Sequence, residues 1–194
     1  STLMRSSAAS DVYKRQTGDF VNAAGMNANT QMTFYGQEKV EYNAQLCQMN
    51  MAVHGLNGHI VSGDAANSFY HDAYNLAGKC DYVIANPPFN VDKVKAESAL
   101  NAGRLPFGLP GVNKKTKEVG NANYLWINYF YAYLNDHGRA GFVMASSATD
   151  SSNKDRDIRE KLVNKPETGH FAKAGVAVKR LSLIHISEPT RHAQ

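Results

Sequence analysis

Cysteine is scarce: Cys47 and Cys80 are the only two in 194 residues. That excludes a disulfide scaffold, and with no neighbouring ligand cluster it excludes a zinc site. A reduced, cytoplasmic setting is the expectation. Runs of about 18 apolar residues are missing, so no membrane partner or membrane span is expected. The amino end lacks the charged and apolar regions of a signal peptide. An excess of one charge is missing too. The 21 basic and 17 acidic side chains leave only +4, part of it in Arg5, Lys14 and Arg15. So small a balance does not argue nucleic-acid binding by itself. The histidines show no metal-ligand spacing, and no metal is expected. Repeats and low-complexity tracts are absent. What remains is an ordinary globular composition, with 43% hydrophobic and 20% charged residues, and enough chain for one domain or part of one.

The two ends differ from the middle. Residues 1–16 show no helix or strand period, and Leu181–Arg191 is foreign to what precedes it. Val12-Tyr-Lys-Arg-Gln16 and Leu181–Arg191 both resemble translated sequencing-adapter read-through. The expected division is a non-native scar at 1–16, a partial domain at 17–180 and a second scar at 181–194. A real amino-terminal arm and a real edge strand at Leu181–Ile186 are the alternative.

Between the ends, short apolar runs alternate with helical patterns. Met32–Tyr35, ending at Gly36, reads as a buried strand. A helix follows from Glu38 to His54, with Tyr42, Leu46, Met49 and Val53 as its apolar stripe and Gly55 as C-cap. Cys47 and Met49 read as core. His59–Val61 and Asp81–Ala85 are the next strands. A loop of roughly 30 residues runs to Gly120. A second helix covers Asn123 to Asp136, with Trp126, Phe130 and Tyr133 on its core face and Gly138 as cap. Gly141–Ala145 is a fourth strand, and Asp155–Val163 a short charged helix. This alternation predicts βαβ units and a doubly wound, mostly parallel sheet of Rossmann-like type.

Such sheets bind ligands beyond the carboxyl ends of their strands. Glu38, Asp64, Asn86–Phe89 and Ser146–Ser147 all follow strands and converge on that edge. Asn86-Pro87-Pro88-Phe89 carries the most information. Two prolines after an apolar strand lock φ and remove two backbone donors. Their carbonyls and the Asn86 amide oxygen form a rigid set of acceptors, suited to an amino group with two N–H donors. Phe89 adds a flat face for stacking a planar base. An enzyme acting on a base inside a duplex must flip it out and hold it by such contacts. The same four residues also make a stiff turn with Phe89 in the core. Ser146 and Ser147 have no His/Asp constellation to make them nucleophiles.

These residues carry a resemblance. Tyr35-Gly-Gln-Glu38, Met49-Asn50 with His54-Gly55, Ala85-Asn-Pro-Pro-Phe-Asn90, Asn121-Ala-Asn-Tyr-Leu-Trp126 and Gly138-Arg-Ala-Gly-Phe-Val143 stand in one order. Together they resemble the modification subunit of type I restriction–modification systems, an adenine-N6 DNA methyltransferase. The likeness covers about Gly36 to Gly169. It implies S-adenosylmethionine as cofactor, double-stranded DNA as substrate, and specificity and restriction subunits as partners. By the same resemblance Asn86 and the Pro87 carbonyl hold the target amino group, Pro88 completes the catalytic motif, and Phe89 stacks on the base. Glu38 matches the acidic residue that accepts from the cofactor ribose hydroxyls. It equally suits a helix's first turn. Asp64 is either a partner of the cofactor adenine or a plain turn residue. Lys93, Lys95, Arg104, Lys114, Lys115 and Lys117 either meet DNA phosphates or line a solvated loop.

One part of the family pattern is not found. The glycine-rich cofactor loop belongs 25–30 residues before Tyr35, yet no glycine cluster stands there. The expectation is therefore an incomplete sheet lacking its first, central strand, and a chain that is inactive by itself. A non-catalytic, subunit-binding fragment is the alternative. So is a related Asn-Pro-Pro methyltransferase of RNA adenine or protein glutamine.

Overall fold

The apolar runs of the sequence become strands of one open sheet. The computed structural model of the chain describes residues 2–6, 32–144, 148 and 153–164. In chain order its elements are β1 (Thr2–Ser6), β2 (Thr33–Glu38), α1 (Glu41–Val53), β3 (Asn57–Ser62), β4 (Cys80–Asn86) and β5 (Val94–Lys95). These are followed by α2 (Ala96–Asn101), β6 (Glu118–Val119), α3 (Asn123–Tyr133), β7 (Leu134–Phe142) and α4 (Asn153–Asn164). The main sheet runs β3-β2-β1-β4-β7, with every neighbouring pair parallel. The chain winds outward from β1 to β3, then returns to the far side of β1 for β4. The strand order thus reverses between β1 and β4, the place where such sheets bind ligands. This is the expected α/β, Rossmann-like architecture, open rather than closed into a barrel. No helix among the described residues is long and apolar enough to cross a membrane.

The core sits on the β4–β7 half. Phe130 and Tyr133 of α3 pack with Val83 and Ala85 of β4 and with Phe107 and Val119 of the connecting segment. Covered by the sheet on one side and that segment on the other, α3 is buried almost all round: Tyr124, Leu125, Trp126, Asn128, Tyr129, Phe130 and Tyr133 are all buried. Asn128 survives there because it is satisfied. Its Oδ1 accepts from Phe107 N at 2.9 Å and its Nδ2 donates to Tyr124 O at 2.7 Å. Trp126, Phe130 and Tyr133 are core residues, as their spacing predicts.

Several expectations need correction. The first, central strand is present: Thr2–Ser6 pairs with β2 on one side and β4 on the other. A strand of five residues is too short to leave a period to read. α1 turns the other way from its expected stripe. Tyr42, Met49 and Val53 are 67%, 64% and 83% exposed, whereas Ala44 and Met51 are buried. Gly58 of β3 has no side chain, and Met51 fills that space; a Cβ on Gly58 would collide with Met51 Sδ. Gln48 Nε2 also donates to Ile60 O at 3.1 Å, fixing the helix on β3 by a polar tie that hydrophobic periodicity does not register.

The supposed loop from Asn90 to Gly120 holds α2 and the antiparallel ribbon β5–β6. Within it Arg104 is buried and unable to meet a phosphate. Its guanidinium donates to Tyr133 Oη at 2.6 Å and Ser68 O at 3.1 Å, and lies 4.5 Å from the Tyr129 ring centroid. α3 ends at Tyr133 rather than Asp136, and β7 begins at once. Gly138 is then no cap. It lies inside β7 where the register with β4 shifts, and a Cβ there would stand 2.6 Å from Cys80 O. β2 passes through Gly36 to Glu38, and Asn86 is the last residue of β4 rather than the first beyond it. α4 lies where a charged helix was expected. Ala145, Ser146, Ser147, the rest of the two ends and the position of the glycine-rich loop lie outside the described residues.

Candidate active site

Parallel pairing aligns the strand ends. Ser6 of β1 pairs with Asn86 of β4. Continuing the β1–β2 register past Met4↔Gly36 sets Ser6 level with Glu38 as well. Glu38 and Asn86 therefore flank β1 at one height, about 10 Å apart at the usual strand spacing. Glu38 in turn pairs with Ser62 of β3, so Asp64 lies just beyond the same edge. Of the strand-end residues singled out from sequence, Glu38, Asp64 and Asn86 are thereby brought to one rim of the sheet, around the switch in strand order, while Ser146 and Ser147 lie outside the described residues.

Glu38 is 8% exposed. Its Oε1 accepts from Val40 N at 2.9 Å, while its Oε2 is buried with no hydrogen-bond partner among the described residues. Burial raises its pKa above the ordinary glutamate value, and the backbone N–H groups of Val40 and Lys39 offset part of that rise. A buried carboxylate oxygen without a donor costs free energy unless something donates to it. A vicinal diol would. The chemistry of this orphaned acceptor fits the ribose of a nucleoside cofactor. Asp64 is exposed and opens a 3-10 turn, Asp64–Ala66, directly after Gly63 at φ 82°.

The Asn86–Phe89 turn is anchored on the core. Pro87 is buried, and Asn86, Pro88 and Phe89 are half-buried. Phe89 packs against the edge of the main core. Among the described residues no donor reaches the Asn86 amide oxygen or the Pro87 carbonyl. The Pro88 carbonyl is different, since Trp126 Nε1 donates to it at 3.2 Å. Of the acceptors expected to be free, that one is occupied.

Three contributors stood in the sequence motifs without a site role assigned to them. Trp126 is both core and a donor to the turn. Asn90, Asn121 and Asn123 form a side-chain cluster beside it. Gln37, 4% exposed, donates through Nε2 to His71 O at 3.2 Å and accepts at Oε1 from Ala73 N at 3.2 Å. It thereby moors the segment that follows Asp64. The available signal was amide side chains in stretches otherwise aromatic or small.

Comparison with known proteins identifies the family. The sequence profile of the N-6 DNA Methylase family matches residues 8–168. The Type I restriction enzyme MjaIX methylase subunit of Methanocaldococcus jannaschii is 34% identical over 144 residues, covering 72% of this chain and 24% of that protein. The Type I restriction enzyme HindI methylase subunit of Haemophilus influenzae Rd is 28% identical over 150 residues, covering 77% of this chain and 32% of that protein. The chain thus spans about a quarter to a third of the length of these curated relatives. A crystal structure of a modification subunit of a presumed type I restriction enzyme from Vibrio vulnificus YJ016 shares the fold. Its TM-score is 0.57 at 16% identity, over 84% of this chain and 34% of that one. With the profile matching most of its length, the chain belongs to the N-6 DNA methylase family and is homologous to the modification subunits of type I restriction–modification systems.

Proposed function

We propose that the chain is the acceptor-turn portion of an enzyme that methylates N6 of adenine in double-stranded DNA, within a type I complex carrying specificity and restriction subunits in a prokaryotic cytoplasm. One observation carries the reading. An acceptor turn, Asn86-Pro87, and a buried carboxylate oxygen, Glu38 Oε2, neither with a donor among the described residues, stand at one height on either side of the strand-order switch. The first suits an amino group with two N–H donors, the second a ribose diol.

When bound, S-adenosylmethionine supplies an electrophilic methyl carbon whose bond to sulfur is exchanged for one to N6, with a proton lost to solvent. The protein's part is orientation and electrostatics. The Asn86 amide oxygen and the Pro87 carbonyl accept the two amino hydrogens. They turn the nitrogen lone pair toward the cofactor and stabilise positive charge as it develops on N6. Pro88 stiffens the turn, and Phe89 stacks on the extruded base. Glu38 holds the cofactor ribose, and Asp64 takes its adenine amino group.

The test is labelled-methyl transfer to unmethylated DNA by the full-length protein carrying this sequence, with nucleosides separated after digestion. Label is expected in N6-methyldeoxyadenosine. Asn86→Ala should lower kcat by about 10²-fold or more while cofactor affinity holds. Label in cytosine, RNA or protein glutamine, or a rate indifferent to Asn86→Ala, would refute the proposal.

A further inference from the structure

The turn that carries the acceptors is tied down by the start of α3. Asn123 Nδ2 donates to Asn90 Oδ1 at 3.0 Å, and Asn90 N donates back to Asn123 Oδ1 at 2.9 Å. Asn121 Nδ2 donates to the same Asn90 Oδ1 at 2.9 Å. Asn121 Oδ1 accepts from Asn123 N at 2.9 Å, which fixes the two asparagines relative to each other. One residue on, Ala122 N donates to Val91 O at 2.9 Å. One helical turn further in, the Trp126 indole donates to Pro88 O. Residues 88, 90 and 91 are thus each bonded to 121–126, while 86 and 87 receive no donor from the described residues.

The details suit holding rather than mere packing. Asn90 stands at φ 54°, the left-handed region that asparagine tolerates better than most residues. A conformation so sparsely populated persists only when its surroundings over-determine it. Asn123 is 2% exposed and spends both ends of its amide on Asn90. Trp126 is 5% exposed, its ring 4.2 Å from that of Phe69 and stacked near Phe130, so the indole N–H has one fixed direction.

We propose that Asn121, Asn123 and Trp126 are positioning residues. They clamp the turn through Asn90 and Pro88, and by occupying the Pro88 carbonyl they leave Asn86 Oδ1 and Pro87 O as the two acceptors presented to an amino group. The clamp reduces three candidate acceptors to two, matching the two hydrogens of an exocyclic amine. Its meaning for chemistry rests on the function proposed above, whereas its geometry does not.

Trp126 is the only tryptophan in the chain, so one indole signal reports on the clamp. The experiment is hydrogen exchange of the indole N–H by NMR on the 194-residue chain, wild type against Asn121→Ala and Asn123→Ala. Exchange should be slowed in the wild type and about fivefold faster in each variant. Asn121 is only half-buried, so Asn121→Ala keeps the test usable where Asn123→Ala fails to fold. In the full-length methyl-transfer assay these variants and Trp126→Phe, which keeps an aromatic ring and loses the donor, should show kcat lowered by roughly 10²-fold. For Asn121→Ala, whose side chain is half-buried, KM for cofactor and the melting temperature should stay near wild type. A purely structural role would move the melting temperature instead.

Indole exchange indifferent to both asparagine variants overturns the clamp, whatever the activity. Faster exchange with unchanged kcat overturns the positioning role. An unsubstituted protein that transfers no methyl group counts against the adenine reading alone, because the indole readout on the chain still decides the clamp.

Discussion

Glu38 shows what a buried carboxylate costs. Its carboxylate is buried at the end of β2 with one oxygen lacking a donor among the described residues, and its pKa is raised by that burial. Because the folded-state pKa lies above the unfolded value, the folded chain holds more proton between the two. Stability therefore falls as pH rises through that window and stays lower above it. Glu38→Gln removes the charge while its amide oxygen can still accept from Val40 N. We expect the variant to melt at or above the wild-type temperature at neutral pH. That advantage should vanish below about pH 4, where the unfolded carboxyl is protonated too. Affinity for S-adenosylmethionine, by equilibrium dialysis, should fall about tenfold or more as the charge-assisted acceptor is lost. A variant less stable than wild type at neutral pH would mean that Glu38 serves the β2–α1 turn rather than a ligand.

At the scale of elements, legibility followed the kind of force involved. The strand at 80–86 and the helix at 123–133 bury apolar residues, so pattern alone located them to within a few residues. The apolar turn residues of the site were legible for a related reason: Asn86-Pro-Pro-Phe is a local string, and its backbone chemistry is fixed by two prolines. The asparagine clamp was not legible, because it joins residues 90 and 123 through amides that carry no periodic signal. Nor was the inner face of α1. There the choice between Tyr42/Met49/Val53 and Ala44/Met51 is made by a bare Gly58 on another strand.

Gly138 failed for a similar reason, since its constraint comes from β4. The register shift opposite Cys80 brings β7 so close that a Cβ would stand 2.6 Å from Cys80 O and 3.0 Å from Leu134 Cδ2. A backbone carbonyl within the sheet cannot step aside cheaply. Gly138→Ala should therefore cost about 1–3 kcal/mol, read as a lower denaturant midpoint at unchanged slope. Gly141→Ala, where a Cβ meets nothing within 4 Å, is the matched control and should stay close to neutral. Equal midpoints for the two variants would contradict the bulged start of β7.

The whole molecule hangs on its least legible piece. Among the described strands, β1 is the one whose hydrogen bonds link the β2–β3 half of the sheet to the β4–β7 half. It also sets the spacing between Glu38 and Asn86, so the amino-terminal residues read from sequence as patternless determine whether the two halves of the site meet. Met4 pairs with Gly36 on one side and Ile84 on the other. Proline at that position removes a backbone N–H and puts its ring into a central ladder, a place prolines do not occupy in sheets. Met4→Pro should therefore uncouple the halves and open two unpaired strand edges, with aggregation as a consequence. Thermal unfolding followed by far-UV circular dichroism should lose its single cooperative transition, and cofactor binding should vanish because Glu38 no longer faces Asn86. Met4→Leu keeps the backbone donor and should leave both measurements near wild type. If Met4→Pro instead melts cooperatively within a few degrees of wild type, β1 is dispensable, and the halves must be joined by contacts other than the strand between them.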